Sequence, residues 1–191
     1  MRHDGPLYRA LNPRWAADPL SGAGAALHGG RFNARGTPAL YTSLRPETAL
    51  REANQVGSLQ PTLMVEYRGR VEGIVDGRDP AALDPYGLAP EHLAAADWRE
   101  AMLARGEAPT QALAAALIAD GCAGLLVPSF ARGATARDLN LVLWRWDGLT
   151  VVDDEQRLDV SERGPAGSAR PRPGQMVTTS SGGKPLKQTD E

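Results

Sequence analysis

The sequence predicts a mixed α+β domain, because short strand-like and helix-like segments interleave along it without regular strand–helix–strand alternation. Long helix-plus-loop stretches separate the middle strands from the late ones, which disfavours a doubly wound parallel sheet. Apolar residues make up 42% of the 191 residues, enough for the core of one domain. We therefore expect one folded unit over residues 1–160, followed by a tail.

Seven short segments carry the strand pattern of apolar and β-branched residues bounded by turn residues. In chain order these are Leu7–Leu11, Ala39–Ser43, Leu63–Tyr67, Val71–Asp76, Gly124–Pro128, Leu139–Trp146 and Val151–Val152. Helices are predicted over Pro46–Val56, Glu91–Ala104 and Thr110–Asp120, with Thr110 placed to cap the last one and Gly121 to end it. The glycine-rich segment 21–36 predicts a loop without regular structure.

Within that loop, Arg31 directly follows Gly29 and Gly30, and Asn33 lies two residues further on. Such a loop lets the backbone approach a ligand closely and present its N–H groups to an anion. The spacing matches neither the phosphate-binding P-loop nor the dinucleotide fingerprint. Composition alone is equally compatible with an ordinary connecting loop.

Four further polar or aromatic residues stand out from their surroundings. At about 100° per residue, Ala49, Leu50, Ala53 and Val56 form the apolar face of the first predicted helix, and Glu52 lies at the border of that face. Its carboxylate either reaches solvent or is held by hydrogen-bond partners for a functional role. Asn140 interrupts an apolar strand, so it needs partners if it faces inward. Tyr41 and Ser129 are compatible with core packing and a turn, respectively.

Charge and composition exclude several classes of protein. Residues 1–160 carry 16 basic and 20 acidic groups, and every fixed cation among them is an arginine; residues 161–191 carry five basic and three acidic groups. This acidic body, without a basic stripe, argues against direct nucleic-acid binding. One cysteine and three histidines provide no metal-ligand spacing. No membrane span or signal peptide is predicted, so we expect a cytoplasmic protein with a disordered Pro/Gly/Ser-rich tail.

The order of these pieces resembles the RES domain family, which is named for an Arg, a Glu and a Ser. The resemblance runs through Leu7–Arg9, Gly29–Asn33, Leu40–Ser43, the helix with Glu52, Gly124–Ser129 and Asn140–Trp144. The three naming residues correspond to Arg31, Glu52 and Ser129. Phe32 stands where the family more often has Trp.

The resemblance implies an ADP-ribosyltransferase-like fold, with two small packed sheets and flanking helices around an NAD⁺-binding cleft. It implies chemistry on NAD⁺ as substrate, without a metal. Glu52, Arg31 and Tyr41 would be catalytic, with Glu52 beside the ribose. Arg31 would bind the pyrophosphate with Arg9 as second clamp, and Tyr41 would stack on nicotinamide. Asn33, Ser129 and Asn140 would complete the NAD⁺ site.

Family members are typically toxins of bacterial toxin–antitoxin pairs. The resemblance therefore implies an antitoxin of the Xre helix-turn-helix type that blocks the cleft. We favour transfer of ADP-ribose to a cellular protein, with NAD⁺ hydrolysis or phosphorolysis as the alternative. A non-catalytic interaction module and a nucleic-acid-directed toxin are further alternatives.

Overall fold

The computed structural model describes residues 1–55 and 60–158, and these ranges form eight strands and five α-helices. The strands are β1 (Arg2–Asp4), β2 (Leu7–Leu11), β3 (Leu40–Ser43), β4 (Leu63–Glu72), β5 (Ile74–Asp76), β6 (Gly124–Pro128), β7 (Leu139–Leu143) and β8 (Leu149–Val151). The helices are α1 (Ala23–His28), α2 (Pro46–Ala53), α3 (Pro80–Leu83), α4 (Trp98–Arg105) and α5 (Pro109–Ala119). The predicted tail, residues 161–191, lies outside the described residues.

The strands pair in one continuous order, β1-β4-β2-β3-β7-β6-β5, and β8 adds to β4. All neighbours are antiparallel except β5 and β6. The expectation of two separate packed sheets is therefore corrected to one sheet. Strand β4 joins β1 and β8 to the rest of the sheet, because the first half of β4 pairs with β2 and its second half pairs with β1 and β8.

Strand β4 also runs through the gap that the sequence pattern predicted between Leu63–Tyr67 and Val71–Asp76. Gly69 lies in that gap, where β8 approaches so closely that an added Cβ would lie 2.0 Å from the carbonyl oxygen of Gly148. Glycine at this position therefore permits pairing with β8 instead of ending the strand.

The sheet curves around a first core. Side chains from β2 and β4, such as Leu7 and Tyr67, share this core with Leu40 of β3, Leu126 of β6 and Leu141 of β7. Strands from both halves of the strand order contribute to one apolar cluster, so the sheet bends to enclose it.

A second core covers the other face of β6 and β7. Leu125 and Val142 alternate with the residues of the first core, as the two-residue period of a strand requires. They pack against Leu113 and Leu117 of α5 and against Leu83 of α3. Helix α5 thereby fixes the strands whose ends carry Ser129 and Asn140.

The glycine-rich segment contains a helix, so the prediction that it lacks regular structure was wrong. Helix α1 lies between Gly22 and Gly29, and Gly29 ends it with φ of 71°. The alanines between these glycines are strong helix formers, which outweighs the single Gly24 inside the helix.

Helix α2 buries Thr48 and Ala49, whereas Leu50 is 43% exposed and Ala53 is also exposed. The predicted apolar face is therefore wrong at two positions, and Val56 lies outside the described residues. Thr48, which the predicted apolar face did not include, is fully buried and donates a hydrogen bond to Asp138.

Two other predicted helices differ in their bounds. A short 3₁₀ turn and α4 replace the predicted helix Glu91–Ala104, because Ala95 between them is not helical, with ψ of 121°. Thr110 does not cap α5 but lies buried inside it, and the side chain of Gln111 accepts from the backbone N–H of Ala108 instead. In the part of the chain that the structure describes, no helix is long and apolar enough to cross a membrane.

Candidate active site

Glu52 projects from α2 into a set of hydrogen-bond donors. Its Oε1 accepts from Ser129 Oγ at 2.5 Å and from Asn140 Nδ2 at 2.5 Å. Its Oε2 accepts from the side-chain amide of Gln55, one turn further along the chain. The question left open by the sequence is therefore answered: the carboxylate is held by partners.

Asn140 faces Glu52 and is itself fixed by β3. It lies opposite Ser43 in the β3–β7 pairing, and Ser43 Oγ donates to Asn140 Oδ1 at 2.7 Å. With Oδ1 occupied, the amide must present Nδ2 to the carboxylate. Ser129, 8% exposed at the end of β6, donates its hydroxyl to the same oxygen. Ser129 is thus a carboxylate partner, without a His that would activate it as a nucleophile.

A buried carboxylate, Asp138, fixes the position of α2. Its Oδ1 accepts from Thr48 Oγ1 and from Arg51 Nη1, both at 2.6 Å. Its Oδ2 accepts from the backbone N–H and the hydroxyl of Thr135, both at 2.8 Å. These bonds, first that of Thr48 and then those of Thr135, hold the pKa of Asp138 well below its usual range.

Asp138 also connects α2 to Ser129, since its carbonyl oxygen accepts from the Ser129 N–H at 2.7 Å. The sequence reasoning missed this residue. The available signal was a carboxylate directly before an apolar strand, 87 residues from Arg51, with which it pairs, and this signal is weak by itself.

Tyr41 is held from behind by Asn33. The phenol donates to Asn33 Oδ1 at 2.8 Å and accepts from the Phe32 N–H at 3.0 Å. Burial raises the pKa of Tyr41, so the hydroxyl is neutral. A Cβ on Gly30 would lie 2.4 Å from this hydroxyl, so only glycine fits beside it.

Asn33 is 1% exposed, and its Nδ2 donates to the carbonyl oxygens of Ala25 and Thr37, both at 2.9 Å. Its polar atoms are thus used within the loop. The structure places Asn33 behind Tyr41, where it positions the ring, and not on the open surface where ligand contact was expected.

The Arg31 guanidinium lies between two aromatic rings. Its central carbon is 4.7 Å from the centroid of Phe130 and 5.6 Å from that of Trp98. Its Nη1 donates to the carbonyl oxygens of Leu93 and Ala95, at 3.1 and 2.5 Å. Burial lowers the pKa of Arg31, although guanidinium remains charged at any physiological pH.

A surface depression with two lobes surrounds Glu52. The Arg9 lobe, about 250 Å³, is lined by Arg9, Ser43 and Ala53 among others. The Arg31 lobe, about 280 Å³, is lined by Arg31, Trp98, Arg99 and the Gly29–Gly30 backbone among others. Three residues line both lobes: Tyr41, Glu52 and Asn140. Arg9, which donates to the carbonyl oxygens of Pro19 and Ser21, and Arg31 therefore line different lobes.

Comparison with known families identifies the domain. The family model of the RES domain matches residues 6–161. The chain belongs to the RES domain family. In this chain, Glu52 and Ser129 lie in direct hydrogen-bond contact.

A solved structure supports this fold. A chain in the crystal structure of the M. tuberculosis MbcT–MbcA toxin–antitoxin complex is similar, with a TM-score of 0.58 and 23% sequence identity. The match covers 80% of this chain and 84% of that one. No curated protein matches the sequence. Among the residues that the structure describes, no group of three or more His, Cys, Asp or Glu side chains is arranged to hold a metal.

Proposed function

We propose that this RES domain is the toxin of a toxin–antitoxin pair and that it cleaves the nicotinamide–ribose bond of NAD⁺, transferring ADP-ribose to a cellular protein. The observation that carries the proposal is the fixed carboxylate of Glu52 where the two lobes meet. A positively charged guanidinium lines each lobe, which suits a substrate that carries both a cleavable ribose and a pyrophosphate.

The chemistry requires a carboxylate at this place. When the nicotinamide–ribose bond breaks, its electron pair leaves with nicotinamide, which becomes neutral, and positive charge develops on the ribose. Glu52 stabilises that charge and accepts a hydrogen bond from a ribose hydroxyl. Ser129 and Asn140 both bind Oε1, so they hold the carboxylate in one orientation before the substrate arrives.

We assign the other roles according to the lobe that each residue lines. Arg31 binds the pyrophosphate through the N–H groups that Leu93 and Ala95 do not use. The ring of Tyr41, held by Asn33, stacks on nicotinamide beside Glu52. Arg9 contacts the part of the substrate, or the acceptor, that enters the other lobe.

The test is incubation of the purified protein with labelled NAD⁺ and cell lysate, for the wild type and for Glu52→Ala and Glu52→Gln. We expect nicotinamide release and a labelled protein band from the wild type only. Loss of NAD⁺ without a labelled band rejects protein transfer. Dependence of that loss on added phosphate then distinguishes phosphorolysis from hydrolysis. Toxicity that persists in Glu52→Ala favours a non-catalytic module.

We also propose a cognate antitoxin of the Xre helix-turn-helix type that covers the depression. Support comes from the similar fold of a chain in the MbcT–MbcA toxin–antitoxin complex. Coexpression with the product of an adjacent helix-turn-helix reading frame should suppress toxicity. Survival of toxicity despite a stable complex would contradict occlusion of the site.

A further inference from the structure

The Arg31 lobe contains a second guanidinium, that of Arg99 near the start of α4. The central carbons of Arg31 and Arg99 lie 5.6 Å and 4.9 Å from the centroid of the same Trp98 ring. Burial lowers the pKa of Arg31 most strongly, Glu52 and Tyr41 raise it, and the nearby charge of Arg99 lowers it further. The two cations are therefore close enough to repel each other.

Arg31 and Arg99 share their lobe with the Glu52 carboxylate, whose charge raises the pKa of Arg31 without forming an ion pair with it. Within residues 1–55 and 60–158, no Asp or Glu forms an ion pair with Arg31 or Arg99. Arg31 uses Nη1 for two backbone carbonyls, and its Nε and Nη2 form no hydrogen bond with the described residues. Two adjacent cations with unused donors in one depression favour a ligand with two negative charges.

We propose that Arg99, stacked on Trp98, is the second phosphate-binding arginine and that the Arg31 lobe takes a pyrophosphate group. Its identification with the pyrophosphate of NAD⁺ rests on the proposed function, whereas binding of a pyrophosphate group does not. This assigns to Arg99 the clamping role that the family resemblance implied for Arg9, which lines the other lobe.

The geometry supports a paired clamp. Guanidinium groups bind phosphate oxygens through two parallel N–H donors, so two phosphates are matched by two arginines. The Trp98 ring attracts both cations and limits their orientations. The backbone at Gly29 and Gly30 forms another part of the lobe.

Arg99 gives a cleaner test than Arg31. Replacing Arg31 also removes the bonds that fix the backbone at Leu93 and Ala95, so a loss of binding would have two causes. Arg99 is exposed and forms no hydrogen bond within the described residues, so Arg99→Gln should fold normally. Arg105→Gln is the matched control, because Arg105 is an exposed arginine on the same helix outside the lobe.

The experiment measures binding of inorganic pyrophosphate to the full chain by calorimetry and, separately, NAD⁺ turnover. We expect Arg99→Gln to weaken pyrophosphate binding about tenfold, which corresponds to the loss of one charged contact. The KM for NAD⁺ should rise by a similar factor, and kcat should stay within about twofold of the wild-type value. Arg99→Lys, which keeps the charge but not the two-donor geometry, should lie between. Arg105→Gln should match the wild type.

Pyrophosphate binding by Arg99→Gln within twofold of the wild type overturns the inference, and so does an equal loss in Arg105→Gln. The proposed function fails separately. If the wild type binds pyrophosphate through Arg99 but releases no nicotinamide from NAD⁺, the binding site stands and the NAD⁺ reaction is rejected. If NAD⁺ is consumed with equal KM by Arg99→Gln and the wild type, only the role of Arg99 is rejected.

Discussion

At the scale of single residues, Glu52 of α2 depends on one donor directly after β6 and another in β7. Ser129 and Asn140 both bind Oε1, and Asn140 is in turn oriented by Ser43. Removing a direct donor should therefore cost more activity than removing the residue behind it. Geometry of this kind affects the reacting state more than the binding of substrate.

Ser129→Ala tests this order of importance. A hydrogen bond to a charged group contributes about 1.5–3 kcal/mol, so we expect kcat to fall about tenfold or more, with KM little changed. Ser43→Ala should reduce kcat less, because the Asn140 amide remains. Nicotinamide release under saturating NAD⁺ measures both. Equal kcat in Ser129→Ala and the wild type would show that the bond has no catalytic role.

Gly30 is a second residue whose identity is fixed by a contact. A Cβ there would lie 2.4 Å from Tyr41 Oη and 2.6 Å from Asn33 Oδ1. We expect Gly30→Ala to destabilise the protein by about 1–3 kcal/mol through overpacking and to reduce activity by displacing Tyr41. The control is Gly24→Ala inside α1, where the nearest atom is 3.7 Å away and helix propensity favours alanine. Denaturant unfolding should show opposite signs for the two variants.

At the scale of elements, α2 is docked by a carboxylate as much as by apolar packing. Asp138 accepts from Thr48 and Arg51 of α2 and binds the Ser129 N–H through its carbonyl oxygen. One residue thus sets the distance between the helix with Glu52 and the strand end with Ser129. Loss of its charge should move the two apart.

Asp138→Asn should therefore lower both the melting temperature and kcat at pH 7. The pKa of Asp138 is lower in the folded than in the unfolded protein, so its stabilising effect is present above the unfolded pKa and is lost as pH falls towards the folded value. The difference in melting temperature between wild type and Asp138→Asn should be constant above about pH 5 and shrink below about pH 4. A difference that does not change with pH contradicts this electrostatic role.

Element prediction succeeded where one local signal dominated. The bounds of β2 and β6 were predicted as the structure has them. Gly121 follows α5 with a positive φ of 79°, as expected of a glycine that terminates a helix. It failed where a distant contact decided the outcome. The docking of Thr48 on Asp138 and the close approach of Gly148 to Gly69 join residues far apart in sequence, and no local periodicity reports such contacts.

The candidate site also has features that were predicted from the sequence and features that were not. Order along the chain singled out Glu52, Ser129, Asn140, Tyr41 and Arg31, and the structure gathers them around one depression. The division into two lobes, the use of Asn33 behind Tyr41 and the position of Arg99 beside Arg31 required the fold. These features depend on which side chains face each other, and that is a property of packing.

At the scale of the whole molecule, the depression is assembled from segments that meet only in the folded chain. Arg9, Arg31, Glu52 and Asn140 come from β2, the loop after α1, α2 and β7. A ligand that binds this surface therefore binds the native state and not the unfolded chain, which stabilises the native state by mass action.

A non-cleavable NAD⁺ analogue at a hundred times its Kd should add about 2.7 kcal/mol to the free energy of unfolding. The resulting rise in melting temperature is measured by thermal scanning, with nicotinamide alone as the control for a ligand that lacks the pyrophosphate. Absence of any rise at millimolar analogue would contradict NAD⁺ binding at this surface.

The long sequence separations within the site also set the order of events during synthesis. The two partners of Glu52 Oε1 lie 77 and 88 residues downstream of it, and β3 pairs with β7 only after the chain has been made as far as Leu143. At about 5–20 residues per second, a translating ribosome needs several seconds to cover that distance. During this interval the nascent chain holds Glu52 without Ser129 and Asn140, so Oε1 gains its two donors only when translation of the domain is almost complete.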